Sequence, residues 1–232
     1  MKPELKGKVA VVTGAAGTMG RAVMDCLAQD QIKTVGIDIK PSPNGIVCDI
    51  ADPVAVKKAI HEIGQVDILI NNAGILSNNK SEATSPEEWR RVLAANLDGA
   101  FYLAREVIPG MKARGWGRIV NTCSLAAKTG GLTAGTAYST SKGALTSLTF
   151  SLARELASFG ITVNGISPAY VRTPMVTEQL TEAQREAVLA QIPVGRFCEP
   201  EEFAHVVRFL VAPLSGFITG EIVDLNGGVI MD

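Results

Sequence analysis

The feature that most constrains the fold is the run Val9-Ala10-Val11-Val12 leading straight into Thr13-Gly14-Ala15-Ala16-Gly17-Thr18-Met19-Gly20. A short β-branched run fits a strand buried in a parallel sheet, and the residues after the turn predict a helix from about Arg21 to Ala28. Strand, glycine-rich turn and helix in that order let backbone approach a pyrophosphate, which would rest on the exposed N–H groups of the helix start. With 23 glycines in the chain, a glycine loop alone would carry little. Its place directly after a strand makes Gly14, Gly17, Thr18, Met19 and Gly20 candidate dinucleotide contacts. The next strand, Thr34-Val35-Gly36-Ile37, ends in Asp38, eighteen residues past Gly20, where a carboxylate can accept both hydroxyls of an adenosine ribose.

The alternation of strand and helix continues. Ile46-Val47-Cys48-Asp49 reads as a third strand, and Asp52-Pro53 as the N-cap and first residue of a helix that carries His61 on its surface. Val66-Asp67-Ile68-Leu69-Ile70 runs into Asn71-Asn72-Ala73-Gly74, at the edge where doubly wound sheets bind ligands, although amides there could equally tie strand ends together. Ser85-Pro86-Glu87-Glu88 carries a capping pattern and opens one long helix expected over about 86–114. Asn96 inside it is a poor helix former, so a specific task and a satisfied core amide both fit. Strands are further expected over 118–122, 161–167 and 221–225, with helices over 181–191 and 200–210. A chain of 232 residues, 47% of them apolar, can bury a full core, and no linker or repeat interrupts the alternation, so a single α/β domain over 1–232 is expected.

The stretch Ala137-Tyr138-Ser139-Thr140-Ser141-Lys142 puts a phenol and an ammonium on one helix face. A nearby cation favours the phenolate and would bring the tyrosine toward the working pH range, which makes a proton-transfer device. Such a pair also arises by composition alone. It gains meaning from Ser124, fourteen residues upstream at the end of the strand 118–122, whose hydroxyl could bond the oxygen that Tyr138 protonates.

The net charge of −1 leaves no basic field for nucleic acid and no polybasic segment for a membrane. No apolar run of about 18 residues and no leader pattern at Met1-Lys2-Pro3-Glu4 are present, so a cytoplasmic protein is expected. Four isolated cysteines without C-x-x-C spacing fit reduced thiols, and no metal is expected. The segment from Gly143 to Ala153 holds no charged residue, which predicts a helix covered by the sheet on one side and by another subunit on the other.

Taken together, TGAAGTMG, Asp49, NNAG, Asn96 in NLDGAF, Ser124, YSTSK, the stretch from Asn164 to Pro174 and ITGEIVDLNGG resemble the short-chain dehydrogenase/reductase family over nearly the whole chain. The resemblance implies a Rossmann-type, doubly wound sheet of seven parallel strands, a nicotinamide dinucleotide, a homotetramer, and a catalytic tetrad of Asn96, Ser124, Tyr138 and Lys142. By that resemblance Tyr138 is the general acid or base, Ser124 polarises the carbonyl, Lys142 also holds the nicotinamide ribose, and Asn96 supports a proton-relay water. It adds Asp49, Ile50, Asn72, Ala73, Gly74, Ile75, Tyr138, Lys142, Pro168, Val171 and Thr173 to the cofactor contacts. Thr18 stands where the family's second turn glycine is usual, and Ala169 where a glycine commonly follows Pro168.

Within the family the chain is similar to 3-oxoacyl-[acyl-carrier-protein] reductases, through LTEAQREAVLAQIPVGR and the C-terminal NGG. Those reductases usually take NADPH through a basic side chain in the glycine turn. Here that turn has Ala16, and Phe159 stands where a carrier-docking Arg is typical, with Arg114 left as half of a basic pair. The expectation is therefore NAD rather than NADP, and a small-molecule alcohol or ketone rather than an acyl-carrier-protein substrate, with the carrier substrate as the alternative. Asp38 beside a 2′-phosphate would repel it by roughly 4 kcal/mol per unit charge at about 4 Å and an effective dielectric of 20. Ser124, Leu125, Leu132, Tyr138, Tyr170, Met175 and Val176 are expected to line an apolar substrate pocket under a lid of about 174–193. Two other classes compete: a silent dinucleotide-binding regulator, which would have no use for the tyrosine–lysine pair, and a serine hydrolase, for which Ser124 lacks the G-x-S-x-G elbow.

Overall fold

The computed structural model describes residues 5–42, 45–174 and 181–231, and of Gln184 the backbone only. Its elements are β1 (Val9–Thr13), α1 (Thr18–Gln29), β2 (Lys33–Asp38), β3 (Gly45–Val47), α2 (Pro53–Ile63), β4 (Ile68–Asn71), α3 (Pro86–Leu93), α4 (Gly99–Arg114), β5 (Gly117–Thr122), α5 (Ala126–Thr129), α6 (Thr136–Leu156), β6 (Ile161–Pro168), α7 (Glu182–Leu189), α8 (Pro200–Val211) and β7 (Ile222–Leu225). The strands form one sheet in the order β3-β2-β1-β4-β5-β6-β7, every neighbouring pair parallel. After β1 the chain moves outward through β2 and β3, then returns to pair β4 on the other side of β1. That reversal opens a crevice at the carboxyl ends of β1 and β4, the place where doubly wound sheets take ligands.

Strand side chains alternate between two cores. Val11, Leu69, Ile119 and Val163 face Leu103 and Met111 of α4 and Leu156 of α6. Val12, Ile70 and Val120 face Val23 and Leu27 of α1 and Phe203 and Val207 of α8. With both faces covered, strands read as continuous apolar runs, and each such side chain contributes roughly 1.5–3 kcal/mol by burial.

Asp52 caps α2 as expected, its Oδ1 accepting the N–H groups of Val54 at 2.8 Å and Ala55 at 3.3 Å. The expected long helix over 86–114 differs: a wide π turn at Ala94–Asp98 separates α3 from α4. Such a turn re-aims side chains within a helix, and here it carries Asn96 inward, 1% exposed. Ser85 caps α3 by accepting the Glu88 N–H at 3.1 Å, but the Glu88 carboxylate reaches back to Ser77 Oγ at 2.6 Å and Asn79 Nδ2 at 2.8 Å. No described helix is long and apolar enough to cross a membrane, and no described group of three His, Cys, Asp or Glu side chains could hold a metal.

Candidate active site

The site starts at the glycine turn. Gly14 has φ +67, and a Cβ there would lie 3.0 Å from both Ala73 Cα and Asn72 Nδ2. At Gly20, in the first turn of α1, a Cβ would lie 2.3 Å from the Gly14 carbonyl oxygen, so this crossing tolerates backbone alone. Helix α1 begins earlier than expected, with Gly17 as its N-cap, no side chain capping it and no acid in its first turn. Its first N–H groups are thereby free of side-chain caps and fit an anion such as a pyrophosphate.

Above this turn runs a cleft of about 640 Å³. Gly14, Gly17, Thr18, Met19 and Gly20 line one end with Asp38 beside them, Asn72, Ala73, Gly74 and Ile75 the middle, and Pro168, Val171 and Thr173 the other end. Asp38 is tied to the turn, its Oδ2 accepting the Ala16 N–H and its Oδ1 the Lys40 N–H, both at 2.9 Å. Asn72 Nδ2 donates to Thr13 O at 2.9 Å, and Asn71 Nδ2 to Asn121 Oδ1 at 2.8 Å, so both amides tie strand ends while Asn72 also faces the cleft. Asp49 and Ile50 do not line it. Strand β3 stops at Val47, the exposed Asp49 accepts the Ala51 N–H at 2.9 Å, and Ile50 is buried, its side chain filling the space beside Gly99.

The four tetrad candidates meet where β4, β5 and α6 converge. Lys142, buried, donates to Thr122 O at 2.6 Å. Asn96 Nδ2 donates to Ile75 O and Ser141 Oγ, both at 3.0 Å, while its Oδ1 accepts the Ile75 N–H at 2.8 Å. Ser141 Oγ in turn donates to Tyr138 O at 2.7 Å. In the protein alone Asn96 thus uses both of its N–H groups and accepts one N–H, which fixes Ile75 and the start of α6. Burial pushes the Tyr138 phenol up, with a hydrogen bond to Ser124 pulling the other way. Burial pulls the Lys142 ammonium down from 10.5 to about 8. The expected lowering of the phenol by the lysine does not emerge: desolvation, which penalises both charged forms, sets the direction of each shift.

A second cavity, about 450 Å³, adjoins the cleft. Ser124, Leu125, Leu132, Tyr138 and Tyr170 line it as expected, whereas Met175 and Val176 lie outside the described residues. Leu76, Asn78 and Thr133 were missed, as were Ala187, Val188 and Gln191 from the lid segment. Thr133 lies in the chain between Ser124 and Tyr138, which could have flagged it; nothing local flags Asn78. The described lining is uncharged but has amide and hydroxyl groups, so it is less apolar than expected. Arg114, the remaining half of the expected docking pair, has its Nε 3.3 Å from Asp67 Oδ1, and its guanidinium donates to Val66 O at 2.5 Å. Lys112 is held likewise, 3.1 Å from Glu155 Oε1 and 4.5 Å from the centroid of the Phe159 ring.

A doubly wound sheet with a glycine turn at its switch point defines a Rossmann-type nucleotide-binding class. A family profile described as enoyl-(acyl carrier protein) reductase matches residues 17–230. A 3-oxoacyl-[acyl-carrier-protein] reductase of Vibrio cholerae is 39% identical over 98% of this chain and 99% of its own, and that of Escherichia coli 35% identical over 97% and 98%. A solved protein of Beutenbergia cavernae, described as an NAD(P)-dependent gluconate 5-dehydrogenase with NADP bound at low occupancy, superposes with a TM-score of 0.91 at 32% identity, covering 97% of this chain and 98% of that one. Thermoplasma acidophilum aldohexose dehydrogenase gives 0.89 at 33% identity, with 97% and 94% covered. The chain belongs to the short-chain dehydrogenase/reductase family. It is an oxidoreductase of that family and works with a nucleotide cofactor.

Proposed function

We propose that this protein, one domain over 1–232, moves hydride between a nicotinamide dinucleotide and the carbon of a secondary alcohol or ketone. One observation carries the reading: Ser124 and Tyr138 line both the dinucleotide cleft and the adjoining cavity, where a carbonyl oxygen would meet a proton donor. When bound, the dinucleotide supplies or accepts the hydride. The first-turn N–H groups of α1 hold its pyrophosphate, Asp38 its adenosine ribose, and the edge from Asn72 to Ile75 with Val171 and Thr173 the nicotinamide half. In the reducing direction Tyr138 gives its phenolic proton to the carbonyl oxygen, which Ser124 orients by hydrogen bond. Lys142 keeps positive charge beside the phenolate left behind, and Asn96 holds Ile75 and the base of α6 in place for both. The uncharged cavity suits a neutral ketone, and its lid side comes from α7.

Asp38 favours NAD over NADP, because a 2′-phosphate would face its carboxylate. Lys40 and Arg21, which also line the cleft, offset part of that repulsion, and the NADP in the Beutenbergia protein is the observation on the other side. A homo-oligomer, with α4 and α6 in one interface, is supported by the absence of charge over 143–153 and by the exposed Phe150 within that stretch.

Reduction of a 3-oxoacyl chain on its carrier protein is the second reading, favoured by the relatives at 35–39% identity that bear that name. Against it, Phe159 stands where a docking Arg is typical, and Arg114 and Lys112 are each paired with a carboxylate, which weakens the positive potential that would meet an acidic carrier. Nicotinamide absorbance with simple ketones, a 3-oxobutanoyl thioester of N-acetylcysteamine and a 3-oxobutanoyl carrier protein separates the readings. A carrier substrate preferred about tenfold in kcat/KM, a difference of about 1.4 kcal/mol, would make the second reading the right one.

A further inference from the structure

We propose that Lys80 is a positioning residue that sets the affinity of the cavity for its carbonyl substrate. The inference rests on the reading of that cavity as the substrate site. Lys80 Nζ donates to Ala134 O at 2.7 Å and to Gly131 O at 3.2 Å, and no carboxylate pairs with it among the described residues. Between those two carbonyls lie Leu132 and Thr133, which with Gly131 and Ala134 form one wall of the cavity. A single ammonium thus spans the whole wall, and hydrogen bonds from a charged donor are the stronger kind.

The platform carrying Lys80 is itself fixed. Glu88 of α3 holds it through Ser77 Oγ at 2.6 Å and Asn79 Nδ2 at 2.8 Å. On its other side Ser77 O accepts the Gly135 N–H at 2.7 Å, and Asn79 O accepts the Thr136 N–H at 3.1 Å. Those last two bonds are backbone to backbone and seat the first turn of α6, hence Tyr138, without any help from the lysine. Lys80 therefore controls the wall separately from the tyrosine, and a change there should appear in substrate binding rather than in the chemical step.

The test uses Lys80→Met, which keeps the chain length and removes the charge, and Lys80→Arg, which can still donate to both carbonyls. With the 3-oxobutanoyl thioester of N-acetylcysteamine, Lys80→Met should raise KM about tenfold with kcat within about twofold, the loss expected for charged hydrogen bonds. Dinucleotide affinity should be unchanged, and Lys80→Arg should recover most of the KM. Amide hydrogen exchange should quicken in Lys80→Met at 131–134 and not at 13–20. An unchanged KM, a fall in kcat together with dinucleotide affinity, or unchanged exchange at 131–134 would each overturn the proposal. Wild-type protein that turns over no ketone would instead refute the proposed function, and the exchange comparison would still decide whether Lys80 holds the wall.

Discussion

The Lys142 ammonium lies 5.8 Å from the centroid of the Tyr138 ring, and burial works against the charged form of both residues. Lys142 loses its proton at about 8 in the folded protein against 10.5 for an unburied lysine. Below about 8 the unfolded chain keeps a proton that the folded chain holds less tightly, so the charged lysine costs stability. That cost fades as pH rises from about 8 to 10.5. The stability of wild type relative to Lys142→Met should therefore rise by on the order of 1–3 kcal/mol between about pH 7 and about pH 10, whatever the variant loses with the hydrogen bond to Thr122 O. Urea unfolding of both proteins without dinucleotide checks this, and a difference that does not change with pH would contradict it.

Asp38 accepts N–H groups from Ala16 and Lys40 at the mouth of the cleft, which holds its carboxylate where the adenosine ribose would lie. Asp38→Ala should move the ratio of kcat/KM for NADP over NAD upward by about tenfold or more, since like charges about 4 Å apart repel by several kcal/mol before screening. Equal ratios in wild type and variant would show that Asp38 does not reach the ribose.

Phe150 on α6 and Phe101 on α4 are 49% and 43% exposed in the single chain, and the stretch 143–153 around Phe150 carries no charge. Light scattering at micromolar concentration should give an oligomer, and Phe150→Glu should shift it toward monomer by burying a charge at the contact. A monomeric wild type would remove this interface from the account.

The glycine turn, Asp38 and the Tyr138–Lys142 pair were legible because strand periodicity, turn chemistry and helix spacing are local. The π turn at Asn96 was not, since what draws that amide inward is Ile75, 21 residues away, and Ser141, 45 residues away. Ile50 is placed by a similarly distant contact, since its side chain packs beside Gly99. The pKa directions depend on burial, which no pattern of neighbours in the chain reveals. Arg114 shows the same limit, because its partner Asp67 precedes a strand on the edge away from the cleft.

The most direct test of the account is hydride transfer by wild type and Tyr138→Phe, followed by nicotinamide absorbance, with dinucleotide affinity measured in parallel. Phe keeps the ring and deletes the exchangeable proton, so turnover should fall by roughly 10²–10⁴-fold while the dinucleotide binds nearly as before. A variant that keeps more than about a third of wild-type kcat would contradict the account, because a positioned proton donor cannot be that dispensable.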